Sequence, residues 1–339
     1  MTGPLPPTVP TIDIAPFLTG RPEDKQRVAQ AVRAANETIG FFAIVGHGVP
    51  DADFNSAYEA ARQFFDQALE VKQEVKRPSP EASRGYNAVG RESLAQSLNV
   101  AAPHDMKETF AIGPVDLPAD PDYAGPRSHP HFLPNVWPGS PPQLRAVWEN
   151  YFRTMHALSD DIMRIFAVAL ELPENWFAGK TDKCISLLRA QNYPEQAVAP
   201  VAGQLRAGAH SDYGALTILR SDDAPGGLQV KTRQGEWVDA AIPPGGYMIN
   251  IGDLMAQWSN DRWVSTLHRV VNPPSGGGHG TRRLSIAFFH QPNYDAVIEC
   301  LPGCSGEGNP VRYPAVTSGN HKRMKFARAN NIALNSVET

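Results

Sequence analysis

The stretch GAHSDYGALTIL (208–219) carries His210 and Asp212 with one residue between them, at the mouth of an apolar run. Residues two apart on a strand point to the same face, so an imidazole and a carboxylate could aim at one point there. Taken alone, the pair reads equally well as a histidine hydrogen-bonded to a neighbouring aspartate. His268, 56 positions after Asp212, shifts that balance, because it stands inside the apolar β-prone run WVSTLHRVV, where a bare imidazole needs a reason. Two histidines and one carboxylate suffice to hold a transition metal on one side and leave its remaining positions open. Fifteen positions further on, RRLSIAFFH places Arg283 and Ser285 two apart, again on one face. An arginine inside a barrel strand is costly unless an anion lies against it. Its planar fork grips a carboxylate at two points, and a serine hydroxyl adds a third. The pattern joins a metal site to an anion site.

These groups need a rigid frame. From Cys184 the chain breaks into seven β-prone runs: CISLLRAQNYP, ALTILRS, GLQVKT, GEWVDA, GYMINIGDL, WVSTLHRVV and RRLSIAFFHQP. Turn signals such as DDAPGG, RQGE, PPGG and PPSGGG divide them, which predicts a sandwich or open barrel. The first half reads as helical. Val28, Val32, Ala35 and Ile39 fall at steps of four, three and four, one face of a helix that Gly40 ends. FFAIVGHGVP (41–50) is β-rich, a second helix is expected from Ala52 to about Lys72, and ETFAI (108–112) reads as a short strand. The longest helix is expected from Pro142 to about Leu170, with apolar residues on one face from Leu144 to Ala169. A helix of that length is a natural backing for a sheet. With no internal repeat and no flexible linker, helices and β core are expected to form one compact unit.

Composition narrows the partners. The 339 residues are 42% hydrophobic, enough for a sizeable core, and the net charge of −4 comes from scattered residues. Neither a nucleic-acid nor a membrane-surface footprint follows, so a small-molecule substrate is the expected partner; oligomeric state stays open. The N-terminus lacks a secretory pattern, and no apolar run approaches the roughly 18 residues of a membrane span. Three cysteines (Cys184, Cys300, Cys304) give an odd count without a pairing framework, so reduced thiols and a cytoplasmic location are expected.

The order H-x-D, a distal histidine and then R-x-S resembles the 2-oxoglutarate- and Fe(II)-dependent oxygenases, and more narrowly their isopenicillin N synthase-like branch. IGFFAIVGHGVP (39–50), DMKETFAIG (105–113), LLRAQNYP (187–194), GGLQV (226–230) and INIGDLMAQWSN (249–260) follow in family order, so the resemblance spans nearly the whole chain. It implies a mainly β fold with helices: a double-stranded β-helix, or jelly roll, at 181–300. A helical and mixed region at 1–180 would pack on this core, and 301–339 would form a C-terminal extension. It also implies that His210, Asp212 and His268 hold Fe(II), while Arg283 and Ser285 meet the far carboxylate of 2-oxoglutarate. O2 would be consumed and succinate and CO2 formed, as a small organic molecule is hydroxylated, desaturated or cyclised.

Other residues stay open at this point. Tyr193 matches a position where the branch places a tyrosine against 2-oxoglutarate, and Arg189 on the same run either reaches the site or caps a neighbouring sheet. Asn192 points to the opposite face. His47, Asn250 and Asp253 read as fold-holding, His290 is expected to leave the barrel, and Leu216 and Trp258 to keep the site dry. Tyr86, Asn87 and Arg91, in RGYNAVGRESLAQ (84–96), are the candidates for substrate contact. Three alternatives remain: an oxidase that uses no 2-oxoglutarate, an ethylene-forming enzyme and, farther off, a hydrolase with Zn2+ on the same triad.

Overall fold

RLSIAFFH, the run that carries Arg283 and Ser285, is apolar on nearly every second residue and lies buried on both faces. A strand of that kind belongs in the middle of a sheet, and it sits there in the computed structural model. The structure describes residues 9–79, 82–95, 103–123, 125, 128, 131–196, 200–274 and 280–329. Its strands begin with β1 (Thr11–Asp13), β2 (Phe41–Val45), β3 (Gly85–Asn87), β4 (Glu108–Ile112), β5 (Leu187–Tyr193), β6 (Ala207–His210) and β7 (Leu216–Ser221). They continue with β8 (Leu228–Lys231), β9 (Trp237–Asp239), β10 (Tyr247–Ile251), β11 (His268–Val270), β12 (Arg283–His290), β13 (Val297–Ile298) and β14 (Val316–Thr317). The larger sheet runs β1-β2-β10-β7-β12-β5-β4-β3, the smaller β6-β11-β8-β9, and β13 pairs with β14.

The long helix α5 (Leu144–Ala169) forms where its periodicity predicts, behind the larger sheet. Phe288, on the outer face of β12, meets Phe152 of α5 edge to face, with 5.2 Å between ring centres. Helices α1 (Ala15–Thr19), α2 (Pro22–Thr38) and α3 (Asp51–Phe65) come before it, with α4 (Leu69–Gln73). The single helix expected over 52–72 is thus two, parted by a turn at Asp66–Ala68. The short helices α6 (Ala178–Thr181) and α7 (Asp253–Trp258) follow, and α8 (Ser318–Ala329) lies in the C-terminal segment. Among the described residues, no helix is long and apolar enough to cross a membrane.

Three differences from the sequence reading matter for the site. Ala207–His210 falls outside the seven β-prone runs but is strand β6, held by pairing with β11; four residues with a glycine are too short to show alternation. The N-terminal half contributes four strands to the larger sheet, β2 on β10 and β4 on β5, so the hydrogen-bonded ladder runs unbroken across residue 180. His290 does not leave the barrel. It ends β12 in full burial, its Nδ1 3.1 Å from the Ser159 hydroxyl and 3.3 Å from that of Ser186. Burial pushes it down to about 3, so it stays neutral. The three cysteines form no disulfide.

Phe110 on β4 joins sheet to helices, with Phe64 of α3 at 4.8 Å and Trp148 of α5 at 5.3 Å between ring centres. Removing a ring so enclosed costs about 3–5 kcal/mol. Phe110→Ala is expected to lower the unfolding free energy by about that amount in urea titration, while the exposed Leu117→Ala changes it by less than about 0.5 kcal/mol.

Candidate active site

Strand β6 ends at His210, and β11 begins at His268, which is its register partner. The two imidazole centres lie 4.2 Å apart on the smaller sheet. Asp212 is not on a strand at all. It follows β6 in a loop, so same-face alternation does not explain its direction; the loop's docking does. The Asp212 carbonyl accepts from the Asp253 amide (2.7 Å), the Ala215 carbonyl from the Gly252 amide (3.2 Å) and the Gly214 carbonyl from the amide of Leu254, just after the N-I-G-D turn (3.2 Å). A Cβ on Gly252 would come 2.1 Å from the Gly214 carbonyl oxygen, so this approach requires glycine.

One oxygen of the docked carboxylate is spent and the other is not. Oδ2 of Asp212 accepts from the Thr217 hydroxyl (2.6 Å) and the Asn250 amide (2.8 Å). Oδ1 lies 3.9 Å from His210 Nε2 and 3.7 Å from His268 Nε2. Each histidine has its Nδ1 against a backbone carbonyl, Gly208 at 2.8 Å and Thr266 at 3.2 Å. A carbonyl only accepts, so Nδ1 carries the hydrogen and Nε2 presents its lone pair. Burial and the neighbouring His268 push His210 down to about 3, which keeps it neutral. Burial works to raise the Asp212 carboxyl. His268, His210 and its two hydrogen bonds outweigh that and hold it below the ordinary value. Three ligand atoms, two neutral nitrogens and one anionic oxygen, thus lie within 4.8 Å of one another. This donor set suits a divalent iron and leaves one side of it open.

Arg283 and Ser285 share the inner face of β12, as their spacing predicts, and Arg283 is the register partner of Tyr193 on β5. Among the described residues Arg283 spends three of its N–H donors on the protein. They go to the carbonyls of Asp222 (3.1 Å) and Ala224 (3.0 Å) and to the Ser221 hydroxyl (2.6 Å). Two of its five donors are left for an anion. The Ser285 hydroxyl donates to Gln191 at 2.9 Å, and Tyr193 is buried on the neighbouring strand. Arg206, which the sequence reading did not single out, lies over the Tyr193 ring at 5.9 Å.

The cavity beside His210 and Asp212 has an apolar wall of Leu94, Leu187, Tyr213, Phe289 and Phe326 and a polar one that includes Glu92, Lys107, Arg189 and Lys322. Arg189 is thus part of this cavity's wall. Asn192 faces the other way, as expected, but is buried there between Glu108 and Arg282. The structure does not bring Tyr86, Asn87 and Arg91 to this cavity. Tyr86 packs on Phe64 and donates to Glu108 at 2.6 Å, Asn87 ends the edge strand β3, and Arg91 is exposed. Glu92 and Leu94 of the same segment line the cavity instead, together with Ser83 just before it. Leu216 and Trp258 are core residues rather than cavity wall. His47 is fold-holding: its ring accepts from the Val49 amide and donates to the Gly245 carbonyl.

Asn250, read from sequence as a fold residue, also aims the Asp212 carboxylate. Losing a group that orients a metal ligand typically costs 10–100-fold in metal affinity. Thr217→Val, which keeps shape and removes only the hydroxyl, is expected to weaken Fe(II) binding by roughly tenfold or more in anaerobic calorimetry, and Asn250→Leu likewise. Wild-type affinity in both variants would refute the role given to these bonds.

Comparison with known proteins agrees with the site. Residues 9–140 match the family described as non-haem dioxygenase in morphine synthesis N-terminal, and residues 184–292 match the 2OG-Fe(II) oxygenase superfamily. A 2-oxoglutarate-Fe(II) type oxidoreductase of Aspergillus fumigatus is 35% identical over 321 residues, covering 94% of this chain and 91% of that protein. A homoarginine-6-hydroxylase of Oryza sativa subsp. japonica is 33% identical over 329 residues, covering 94% and 96%. A full-length Neurospora crassa protein, solved in complex with alpha-KG and thymine, aligns with a TM-score of 0.82 at 34% identity, covering 94% of this chain and 96% of that one. The fold is thus the jelly roll that the sequence resemblance implied, and the hydrolase alternative falls away. With likeness of this degree along nearly its whole length, the chain belongs to the 2OG-Fe(II) oxygenase superfamily and is an Fe(II)- and 2-oxoglutarate-dependent dioxygenase.

Proposed function

We propose that His210, Asp212 and His268 hold the iron, that Arg283, Ser285 and Tyr193 hold the far carboxylate of 2-oxoglutarate, and that a small organic substrate enters the cavity lined by Arg189, Phe289 and Lys322. The observation that carries this reading is the convergence of three unspent ligand atoms within 4.8 Å, each fixed by a hydrogen bond on its other side. Bound Fe(II), with O2 and 2-oxoglutarate, supplies the oxidising chemistry, and succinate and CO2 leave. The chain's own residues position and shield. Thr217 and Asn250 keep Oδ1 of Asp212 turned to the metal position. Arg283 offers a charge-assisted fork on the inner face of β12, with Ser285 on the same face and Tyr193 as its register partner on β5. Phe289, Leu187 and Phe326 exclude water from the open side, so hydrogen removal is confined to the substrate bond that the cavity presents. One relative is named for homoarginine and another was solved with thymine. Such different molecules suit a shared metal end and a variable cavity wall.

Replacing any one of His210, Asp212 or His268 by Ala is expected to abolish single-site Fe(II) binding in metal titration, and succinate formation with it. Arg283→Leu is expected to leave Fe(II) binding nearly intact and to weaken 2-oxoglutarate roughly 30-fold or more, because truncating one partner of a buried charge pair costs about 2–5 kcal/mol. An unchanged 2-oxoglutarate requirement in that variant would overturn the co-substrate assignment.

Tyr193→Phe keeps the packed ring and removes one neutral hydrogen bond, worth about 0.5–1.5 kcal/mol. The KM for 2-oxoglutarate is therefore expected to rise roughly two- to twelve-fold, with smaller change in kcat. His47→Ala is the matched control: a lower melting temperature with the KM unmoved. The reverse outcome, stability lost in Tyr193→Phe and KM raised in His47→Ala, would mean that the two roles are exchanged.

A further inference from the structure

The polar wall of the cavity carries more positive charge than the metal chemistry uses. Lys322, brought in by α8, donates to the Ile185 carbonyl at 2.7 Å and has no carboxylate within ion-pair distance among the described residues. Among its ionisable neighbours Arg84 acts on it most, a cation that disfavours its charge; the Cys184 thiol comes next and favours it, and Arg189 follows as a second cation. Arg84 is itself buried and spends its guanidinium on the carbonyls of His131 and Leu133. Arg189 has one loose carboxylate contact, Glu92 at 3.5 Å, and its Nε is buried without a partner. Glu92 is shared, with Lys107 at 3.3 Å and Arg77 at 3.9 Å, and Lys107 also holds Asp105 at 3.1 Å. Burial pushes the Lys322 ammonium down to about 7, the cost of holding this charge away from an anion. The side-chain amide oxygen of Gln291, also on the wall, is buried and unpartnered. An uncompensated buried charge is expensive, and the usual remedy is a counter-ion.

2-Oxoglutarate does not supply it. Arg283 pairs with Tyr193 across β5 and β12, whereas Arg189 pairs with Ala287, four residues along the same face. At roughly 3.3 Å per residue the two cationic positions are about 13 Å apart, too far for one five-carbon diacid to satisfy both. The end of the cavity that carries Arg189 and Lys322 is thus left to another anion.

We propose that the primary substrate is a small organic carboxylate, its charged end taken by Lys322 and Arg189 and its apolar body laid along Leu187, Phe289 and Phe326. The inference rests on the function proposed above, since it takes this cavity as the substrate's. Arg189 and Phe289 give the pocket a mixed character: the guanidinium lies over the ring at 5.9 Å, so an apolar body and a charged end can be received side by side.

The test uses the full-length protein with Fe(II) under nitrogen. Binding of 2-oxoglutarate is measured first, by calorimetry and by the visible absorption it produces. The loaded protein is then titrated with benzoate, phenylacetate, cinnamate and hexanoate, each matched with its primary amide, and succinate is followed after admission of air. At least one acid is expected to bind roughly 30-fold or more tightly than its amide and to stimulate succinate formation. Lys322→Met is expected to erase that preference and Lys322→Arg to keep it, with the 2-oxoglutarate absorption present in both as evidence of a folded site. If 2-oxoglutarate binds but no acid outperforms its amide, or if Lys322→Met retains the preference, the inference is overturned alone. If 2-oxoglutarate fails to bind, the proposed function falls and takes the inference with it.

Discussion

The site depends on how one carboxylate divides its two oxygens. A carboxylate in the interior loses its hydration, a penalty of several kcal/mol that only good hydrogen bonds and opposite charge offset. Asp212 meets it with Oδ2, which accepts from Thr217 on β7 and Asn250 on β10. Those two donors are directly paired across the strands. A slip of one residue in that register would turn one of them to the opposite face, and Oδ2 would compete with Oδ1 for the metal position. The ladder between β7 and β10 is therefore also the alignment of the metal site.

The histidines come from elsewhere. His210 and His268 are paired on β6 and β11 in the smaller sheet, while the groups that hold Asp212 belong to the larger one. A metal bound to all three would join the two sheets at a point where the protein itself brings only a loop across. The tight approach of Gly214 and Gly252 lets that loop reach, since any side chain at Gly252 would strike backbone. Fold and chemistry meet in a backbone contact with no room for a Cβ.

What the sequence showed and what it hid follow from this arrangement. Arg283 and Ser285, and the inward direction of Tyr193 against the outward one of Asn192, were legible because they sit on true strands with a period of two. The helices α2 and α5 were legible from their 3.6-residue pattern. The H-x-D spacing marks the two residues but does not explain their convergence, since Asp212 stands beyond the strand end and is aimed by Thr217 and Asn250. Neither carries a local signal of that role, because each looks like an ordinary polar residue in a β run. The wall opposite the metal was least legible. Glu92 and Lys107 come from a segment with little regular structure, and Lys322 from a helix more than fifty residues past His268. Their meeting is a product of tertiary packing that no short spacing encodes. Tyr86 was misplaced for a related reason: on an edge strand the face alone does not say which layer covers it, and Phe64 does.

That distant helix is tied to the metal site more directly than its place in the chain suggests. Lys325, one turn from Lys322 on α8, donates to Oδ2 of Asp253 at 2.6 Å, and Ser265 donates to Oδ1 at 2.7 Å. The amide of the same Asp253 holds the carbonyl of Asp212. Asp253 thus receives the wall of the cavity through its side chain and the loop that carries Asp212 through its backbone. An ion pair of this kind, half-buried and sharing its carboxylate with a hydroxyl, is geometrically more restrictive than an exposed one. Displacing α8 would free one oxygen of Asp253, and the turn that carries it also carries Gly252 and, two residues before that, Asn250. The arrangement makes the cavity wall and the orientation of the Asp212 carboxylate parts of one hydrogen-bonded unit, so the C-terminal segment helps to build the cavity beside His210 and Asp212.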